Sequence, residues 1–373
     1  MKIVISGYIG KKVTGIGRNL ICLLDNSTSS NKYVIYTNYD MADDLKFQNP
    51  NVTVKTYNVS KMSSLKNLLW TTFVFPLKAF QEHADGALIP NFTLLLFKFK
   101  PTTVIMHDLI EFNVPDKFSK RKMFYRTKLA DPITAKRANN IITVSENSKK
   151  DIIKFLGVNE NKISVVYNGV DQCKFQKMDT KKAMSILESK NWPTDYILYA
   201  GTIDHPGKNA MSVIKAFEQL KDNESYNGKL ILAGMPGSGY EMVADYIGKS
   251  KWKDEITLTG FVSDEELVAL YSLCRVFCFV SLYEGFGIPP LEALSCGANV
   301  IVSKTSSLPE VVGNVGIKID PSNLEELKTA ILNVLNRKWS IKEDDLKHHL
   351  RNYDWKELSN QFEKVLSLSV EKR

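Results

Sequence analysis

The sequence of 373 residues contains only five cysteines, which are scattered along the chain and odd in number. They form neither a disulfide framework nor the paired Cys-x-x-Cys spacing of a zinc site, so they favour a reducing cytoplasm. No apolar run approaches the ~20 residues of a membrane span. The run within the opening residues MKIVISGY is too short for a signal peptide and predicts a strand. With only 20 Gly and 13 Pro, the composition excludes collagen-like, low-complexity and fully disordered proteins.

Length and charge both divide the chain into two parts. A chain of 373 residues exceeds the size at which one hydrophobic core keeps growing, which predicts two domains. Residues 1–170 carry 24 Lys and Arg against 13 Asp and Glu, and residues 171–373 carry the other 25 against 28. We therefore expect the first half to face an anionic surface or polyanion, with scattered solvated lysines as the alternative. Nucleic acid is not the expected partner, because no recognised binding motif accompanies the charge.

Short β-rich runs alternate with amphipathic stretches in both halves, which predicts an α/β protein with open parallel sheets. The predicted strands of the first half are 2–6, 32–37, 51–57, 86–90, 102–108, 140–145 and the start of 162–171. After a polar, irregular linker over 172–194, those of the second half are 196–201, 229–234, 255–262, 276–281 and 299–303. We expect domains of residues 1–172 and 173–344, with an apolar helix face in 345–373 packing back across their junction. Ligands should bind at the carboxyl ends of the strands.

The strongest chemical pattern is the segment YEGFGIPPLEALSCG, residues 283–297, which follows a predicted buried strand. The glycines on either side of Phe286 let backbone N–H groups approach a ligand, and the two prolines that follow fit the first turn of a helix. A helix N-terminus after a glycine loop is a ready site for a diphosphate. Glu284 and Glu292 lie eight positions apart, and Glu292, inside that first turn, is placed to accept hydrogen bonds from a ribose diol. The alternative is a helix in which Glu292 only stabilises the macrodipole.

This segment resembles the Glu-x7-Glu motif of retaining nucleotide-sugar glycosyltransferases of family 4, which have the GT-B fold. Three more stretches are similar to that family: VTGIGRN at 13–19, HDLIEFNVP at 107–115, and IITVSENSKKDI followed by KISVVYNGVD at 141–152 and 162–171. The resemblance implies two Rossmann-like parallel-sheet domains that face a central cleft. It implies that the first domain binds the acceptor and the second binds the nucleotide sugar.

The resemblance also implies roles for individual residues. His107 would contact the reacting sugar, Lys208 would stabilise the departing nucleoside diphosphate, and Glu284 would bind hydroxyls of the transferred sugar. For His107 the alternative is a buried histidine bonded to a neighbour. The residues implied in donor binding are Gly15, Gly17, Thr202, Lys208, Phe286, Gly287, Ile288 and Glu292. No catalytic metal and no cofactor beyond the donor substrate are implied, and Asp43-Asp44 does not follow a strand as a metal-binding Asp-x-Asp does.

One departure from the family lies beside Lys208. The family commonly has Pro-Arg-Lys-Asn where this chain has Pro206-Gly207-Lys208-Asn209, and Thr202 stands where some members place arginine. We therefore expect one cation at the phosphates, or compensation by a residue such as Arg275. The main hypothesis is an active transferase. The alternatives are a GT-B nucleotide-sugar epimerase, which would act without an acceptor, and a non-catalytic scaffold, which would not bind nucleotide.

The basic first half interleaves lysines with aromatic residues in three segments: 65–80, 94–100 and 117–128. These predict an interfacial patch that contacts anionic lipids at the inner face of the cell membrane, the alternative being core aromatics with solvated lysines. The family often elongates lipid-linked sugars, so the expected acceptor is a saccharide or an undecaprenyl-diphosphate-linked oligosaccharide of surface polysaccharide synthesis. The expected donor sugar is a hexose of the mannose or rhamnose type.

Overall fold

Two parallel β-sheets form the framework of the protein. The structure is a computed structural model that describes residues 1–7, 15–38, 45–57, 64–91, 93–114 and 119–371. The first compact unit consists of Met1–Gly169 and Tyr353–Arg373, and the second consists of Val170–Asn352. Residues 13–14, 43–44 and 117–118 belong to segments singled out in the sequence and lie outside the described part.

The first unit contains a seven-stranded parallel sheet with the order β3-β2-β1-β4-β5-β6-β7. Its strands are β1 (Lys2–Ser6), β2 (Lys32–Asn38), β3 (Val52–Tyr57), β4 (Gly86–Ile89), β5 (Thr102–Ile105), β6 (Asn140–Thr143) and β7 (Ile163–Val165). Its helices are α1 (Gly15–Asp25), α2 (Ser64–Leu69), α3 (Phe75–Gln81), α4 (Ile110–Asn113), α5 (Lys120–Phe124), α6 (Asp131–Arg137) and α7 (Glu146–Leu156). Short π-helical stretches, Trp70–Val74 and Tyr125–Ala130, join α2 to α3 and α5 to α6. Helices cover both faces of the sheet, which explains why its central strands are continuous apolar runs.

The second unit contains a six-stranded parallel sheet with the order β10-β9-β8-β11-β12-β13. Its strands are β8 (Tyr196–Ala200), β9 (Lys229–Ala233), β10 (Ile256–Gly260), β11 (Val276–Phe279), β12 (Val300–Ser303) and β13 (Ile317–Ile319). Its helices are α8 (Thr180–Ser189), α9 (Ala210–Asp222), α10 (Tyr240–Lys249), α11 (Asp264–Leu273), α12 (Ile288–Ser295), α13 (Leu308–Val312), α14 (Leu324–Leu335) and α15 (Glu343–Leu350). The register pairs Phe277 on β11 with both Leu198 on β8 and Val300 on β12.

The last helix, α16 (Trp355–Glu371), belongs to the first unit. Leu358, Phe362 and Leu366 on one face of α16 are buried in the same cluster as Ile3 and Ile5 of β1. The spacing of these three residues is the apolar helix face recognised in the sequence. The final helix is therefore part of the core of the N-terminal sheet.

Two elements differ from the sequence-based expectation. The linker predicted to be irregular contains α8, because Asp179 caps it by accepting bonds from the N–H groups of Lys181 and Lys182. Its buried face consists of Ala183 and Leu187, and it packs on α11. Strand β13 has only three residues and was not predicted. Within the described ranges, no helix combines the length and apolarity needed to cross a membrane.

Candidate active site

The order of the strands reverses at one place in the second sheet, between β8 and β11. These strands are hydrogen-bonded neighbours although β9 and β10 separate them in sequence. Loops that leave the carboxyl ends of parallel strands at such a switch point diverge, and the crevice between them is the usual ligand site of open α/β sheets. The loops at this place are residues 201–209, after β8, and residues 280–287, after β11.

Lys208 and Glu284, one from each of these loops, form an ion pair. Lys208 Nζ donates to Glu284 Oε1 over 2.7 Å, and the two side chains are 30% and 14% exposed. Lys208 Nζ also lies 5.5 Å from the centroid of the Phe279 ring, which is close enough for a cation–π contact. The backbones of the loops are joined as well, since Leu282 N–H donates to the Gly207 carbonyl over 2.9 Å. The structure thus brings together two of the three residues expected to be catalytic.

The loop after β11 runs directly into α12, which begins at Ile288. Gly287 at its N-cap has a φ of 115°, and a Cβ there would lie 2.6 Å from the Leu308 side chain, so conformation and space both require glycine. The two prolines of the motif occupy the first turn, where they interrupt no helical hydrogen bond. Phe286, expected to bind the donor, is buried. The helix dipole places partial positive charge at this end, which favours an anionic ligand.

Glu292, the second glutamate of the motif, is half-buried on α12. Because α12 begins at Ile288, Glu292 lies just beyond the first turn, and its expected place inside that turn was wrong. Burial and, to a lesser degree, the Glu292 carboxylate raise the pKa of Tyr271 on α11 and of Cys296. The pKa of Cys296 rises to about 12, so this thiol stays protonated at neutral pH.

Hydroxyl side chains of residues 303–307, at the end of β12 and in the segment after it, lie beside the loop that carries Glu284. Each of them makes a hydrogen bond with the backbone of residues 281–286. The bonds are Ser303 Oγ to the Ser281 carbonyl (2.6 Å), Thr305 Oγ1 to the Leu282 carbonyl (3.1 Å), Glu284 N–H to Ser306 Oγ (3.1 Å), and Ser307 Oγ to the carbonyls of Glu284 (2.9 Å) and Phe286 (2.6 Å). These residues could not be recognised in the sequence, because single serines and threonines carry no recognisable spacing.

Two polar side chains to which the sequence assigned no role, those of Asp204 and Asn209, shape the loop around Lys208. Asp204 is 7% exposed, and its Oδ1 accepts a bond from the Lys208 backbone N–H over 3.2 Å. The Asn209 side chain is buried. Its backbone has a φ of 56°, in the left-handed region, which asparagine tolerates better than most residues. Its Nδ2 donates to the carbonyls of Val280 and Pro321, over 3.2 and 3.0 Å. Asn209 therefore links the two loops.

Thr202 and Arg275, which were also expected near the phosphates, lie at opposite ends of the strands of the second sheet. Thr202 is exposed in the loop after β8, and its carbonyl accepts a bond from the Tyr199 hydroxyl over 2.9 Å. Arg275 directly precedes β11, and its Nε pairs over 2.8 Å with Asp195, which directly precedes β8. Arg275 is therefore at the amino ends of the strands, the opposite edge of the sheet from Lys208. The expectation that Arg275 compensates at the phosphates was wrong.

His107 follows β5 in the first unit and is buried, with 9% of its surface exposed. Its Nε2 lies 3.3 Å from the Pro90 carbonyl, and since a carbonyl only accepts, Nε2 carries the proton and Nδ1 keeps its lone pair. Burial lowers the pKa of His107 to about 4, against the smaller opposite effect of this bond, so the ring is uncharged at neutral pH. Ser148 Oγ donates to the His107 carbonyl over 3.1 Å and fixes the backbone.

The glycines expected to bind phosphates in the first unit lie at the start of α1. Gly15 is exposed with open space around its Cα, and Gly17 is buried. Asn19 on the same helix donates to Asn168 Oδ1 over 2.6 Å in a buried bond, which holds α1 beside the segment after β7.

Across the residues that the structure describes, no group of three or more His, Cys, Asp or Glu side chains is arranged to hold a metal ion. Asp43-Asp44 lies outside those residues.

Comparison with known proteins matches both units to glycosyltransferases. Residues 35–172 match the family described as Glycosyltransferase Family 4, and residues 186–356 match Glycosyl transferases group 1. O-antigen chain mannosyltransferase RfbU of Salmonella typhimurium is 30% identical over 282 residues, which cover 74% of this chain and 73% of RfbU. O-antigen chain mannosyltransferase B of Escherichia coli is 31% identical over 249 residues, which cover 66% of this chain.

The chain spans less than two thirds of several relatives: 64% of the E. coli mannosyltransferase B and 28% of the E. coli serotype-specific mannosyltransferase WbdA. Among solved structures, Anabaena HepE in complex with UDP and glucose has a TM-score of 0.74 over 98% of this chain and 99% of HepE, at 18% identity. This likeness concerns the fold, and it confirms the predicted GT-B class with its two parallel-sheet domains. With RfbU at 30% identity over 73% of its length and both halves matched to glycosyltransferase families, the chain belongs to the family 4 glycosyltransferases.

Proposed function

We propose that the protein is a retaining, metal-independent hexosyltransferase that moves a mannose- or rhamnose-like sugar from a nucleoside diphosphate to a saccharide acceptor. The observation that carries this proposal is the Lys208–Glu284 pair at the switch point of the second sheet. A cation beside a glycine loop and a helix N-terminus suits a diphosphate, and an adjacent carboxylate suits the hydroxyls of a sugar. Two similar proteins are O-antigen mannosyltransferases, which supports a mannose-like donor and a role in polysaccharide synthesis.

Donor binding in this proposal replaces the Lys208–Glu284 bond with bonds to the ligand. Lys208 Nζ turns to the oxygens of the diphosphate, and the Glu284 carboxylate accepts bonds from hydroxyls of the sugar. Phe286, Gly287 and Ile288 would place the loop backbone against the sugar and diphosphate. Glu292, on the helix that follows, is proposed to accept bonds from the ribose diol.

The transfer step is proposed to be a substitution on one face of the sugar. The bond between C1 and the diphosphate oxygen breaks, and the acceptor oxygen forms its bond to C1 from the same side. The proton of the acceptor hydroxyl passes to the departing phosphate oxygen, whose negative charge Lys208 stabilises. Because the acceptor attacks on the side that the diphosphate leaves, the anomeric configuration is retained.

The first unit is proposed to bind the acceptor, an undecaprenyl-diphosphate-linked oligosaccharide. Gly15 and Gly17 are proposed to bring backbone N–H groups to the phosphates of the donor. His107 would contact the reacting sugar through its Nδ1, the ring nitrogen that keeps a lone pair. An uncharged His107 accepts a hydrogen bond from a sugar hydroxyl there without adding charge to the site.

An exposed apolar stripe on the first unit supports the proposed membrane contact. Leu69, Phe73, Leu77 and Phe80 recur every three or four residues along the continuous helix from α2 to α3, and each is about half exposed. Phe97, from the loop after β4, extends the stripe, since its ring centroid lies 6.2 Å from that of Phe73. A contiguous exposed apolar face marks an interaction surface.

The charges around this stripe favour anionic lipids as the partner. Residues 64–81 and 93–101 contain four lysines and no acidic residue. Lys100 Nζ lies 5.1 Å from the Phe80 ring, so a cation sits at the edge of the apolar face. Lysines at this level meet anionic headgroups while the aromatic rings enter the interface, so a peripheral position on the inner leaflet is proposed.

The membrane contact is tested by co-sedimentation with vesicles of phosphatidylglycerol or of phosphatidylcholine. The protein should bind the anionic vesicles, and Phe73→Ser with Leu77→Ser should reduce that binding at least tenfold. Met242→Ser, which removes an equally exposed apolar side chain from the second unit, is the matched control. Unchanged vesicle binding by the double variant, or self-association through the same face, would contradict the contact.

The transferase activity is tested with a panel of nucleotide sugars, first by thermal stabilisation and then by transfer to a lipid-diphosphate-linked saccharide. A donor at about 100 times its Kd stabilises the protein by about 2.7 kcal/mol. Lys208→Ala and Glu284→Ala should each lower turnover more than tenfold with unchanged circular dichroism. Lys251→Ala, at a 69% exposed lysine of the same unit, is the control and should retain full activity.

Three other results would each reject a different part of the proposed function. Conversion of a donor without acceptor indicates an epimerase, and absence of binding by any nucleoside diphosphate indicates a scaffold. Nuclear magnetic resonance of the product gives the configuration at C1, and an inverted product excludes the same-face mechanism.

A further inference from the structure

The hydroxyl of Ser307 is used in an uncommon way. Ser307 is the N-cap of α13, a position where a serine side chain ordinarily accepts a bond from an N–H of its own helix. It makes no such bond here. Ser307 is fully buried, and its Oγ lies 2.9 Å from the Glu284 carbonyl and 2.6 Å from the Phe286 carbonyl. The Ser307 hydroxyl therefore donates its one proton to the neighbouring loop, where the carbonyls of Glu284 and Phe286 share it.

The direction of these carbonyls determines the direction of the N–H groups that follow them. In a trans peptide the C=O and the next N–H point to opposite sides of the chain. Because the carbonyls of Glu284 and Phe286 point to Ser307, the N–H groups of Gly285 and Gly287 point away from it. Glycine backbones adopt many conformations in the absence of such restraints, so two bonds at alternate residues limit this loop strongly.

Glu284 is held from the other directions as well. Ser306 Oγ accepts the Glu284 N–H over 3.1 Å, so the backbone of Glu284 is bonded through both its N–H and its carbonyl. On the opposite side, its carboxylate accepts the bond from Lys208 Nζ. Ser306 and Ser307 therefore restrain the backbone of Glu284, and Lys208 contacts its carboxylate.

We infer that Ser307 is a positioning residue for the transferred sugar: through the carbonyls of Glu284 and Phe286, its hydroxyl fixes the loop backbone so that the Glu284 carboxylate faces the donor. The effect on turnover rests on the proposed function, whereas the effect on the loop does not. Ser307 itself touches neither the sugar nor the diphosphate. Its removal should affect the sugar contacts of Glu284 more than the binding of the nucleoside diphosphate, which depends mainly on Lys208.

The test compares Ser307→Ala with Ser303→Ala. Ser303 is a matched control because it is also fully buried and bonded to a carbonyl of the same loop, that of Ser281, three residues before Glu284. Ser307→Ala should lower kcat/KM for the nucleotide sugar at least tenfold, whereas Ser303→Ala should lower it less than threefold. Ser307→Ala should change the affinity for the nucleoside diphosphate less than threefold, which is below its effect on kcat/KM, and Ser303→Ala should leave that affinity within twofold of the native value. If Ser307→Ala does not fold, Ser307→Cys replaces it in the same measurements, because the cysteine side chain is of similar size and its thiol is a weaker hydrogen-bond donor than the hydroxyl.

Two further measurements separate positioning from a general structural role. In a Glu284→Gln background, Ser307→Ala should lower kcat/KM less than twofold further, because its effect passes largely through Glu284. In the ligand-free protein, amide hydrogen exchange in peptides covering 284–288 should be at least fivefold faster in Ser307→Ala and unchanged in Ser303→Ala.

Equal effects of the two serine variants, an undiminished effect in the Glu284→Gln background, or unchanged exchange in residues 284–288 would each overturn the inference. If no nucleotide sugar is turned over by the native protein, the proposed function fails. The exchange measurement then still decides whether Ser307 orients the loop.

Discussion

The ion pair between Lys208 and Glu284 leads to a prediction in which the two variants have opposite effects on the same ligand. A nucleoside diphosphate without its sugar needs the Lys208 charge but has no hydroxyls for Glu284. Binding of this product therefore breaks the bond of 2.7 Å between the two side chains and offers Glu284 no replacement. We expect Glu284→Gln to bind the nucleoside diphosphate more tightly than the native protein, although it transfers sugar far more slowly.

The expected size follows from the exposure of the pair. Lys208 and Glu284 are 30% and 14% exposed, and a charge-assisted pair in that range contributes about 1 kcal/mol. Its release corresponds to about fivefold in affinity, and removal of the negative charge beside the diphosphate acts in the same direction. We therefore expect Glu284→Gln to bind about three- to tenfold more tightly. Lys208→Ala loses about 1.5 to 3 kcal/mol of charged hydrogen bonds and should bind about ten- to a hundredfold more weakly.

Calorimetric titration of the protein with UDP, GDP and TDP measures both effects. The gain in Glu284→Gln should shrink as sodium chloride rises from 0.05 to 0.5 M, because salt screens partly exposed charges. If Glu284→Gln binds the nucleoside diphosphate no better than the native protein, Glu284 does not compete with the phosphates for Lys208. That result would refute the exchange of partners on which the proposed donor binding rests.

Two further perturbations test the backbone at the site and the electrostatics of the first unit. Gly287→Ala should lower the free energy of unfolding of the second unit by about 2 kcal/mol or more in urea titrations. The new Cβ would lie 2.6 Å from the Leu308 side chain, on a backbone with a φ of 115°. A variant as stable as the native protein would contradict the requirement for glycine at this position. The pKa of Glu82 is lowered from 4.5 to about 2 by hydrogen bonds from Lys2, Lys55 and Tyr36. The ionised Glu82 carboxylate therefore stabilises the folded state fully above pH 4.5, and this contribution disappears as the pH falls toward 2. Because these lysines are 35% and 44% exposed, we expect Glu82→Gln to lose about 1 to 2 kcal/mol at pH 7, and the difference from the native protein should vanish near pH 2.

Most of the sheet framework could be predicted, because strands buried on both faces leave continuous apolar runs. Residues 2–6 and 276–281, for example, correspond to β1 and β11. Strand β13 was missed because three residues show no periodicity. Helix α8 was missed because most of its surface is polar and only Ala183 and Leu187 are buried, which resembles the composition of a linker.

The candidate site was predictable only where the chemistry follows a known motif. Lys208 and Glu284 are 76 positions apart, yet the topology of the sheet places them within hydrogen-bond distance. Asn209 and Ser307 were not predictable, because their roles depend on which carbonyls of another loop lie opposite them. The uncharged state of His107 likewise depends on burial that a sequence does not display.

The place of α16 in the core of the first sheet has a consequence for synthesis on the ribosome. Phe362 and Leu366 leave the exit tunnel after all of residues 170–352, so the second unit has its whole sequence available before the first unit has its last core side chains. The apolar side chains of the N-terminal sheet that pack against α16 therefore remain exposed until these last residues have been translated. A nascent chain released before residue 355 should be held by chaperones or degraded through its first half rather than its second.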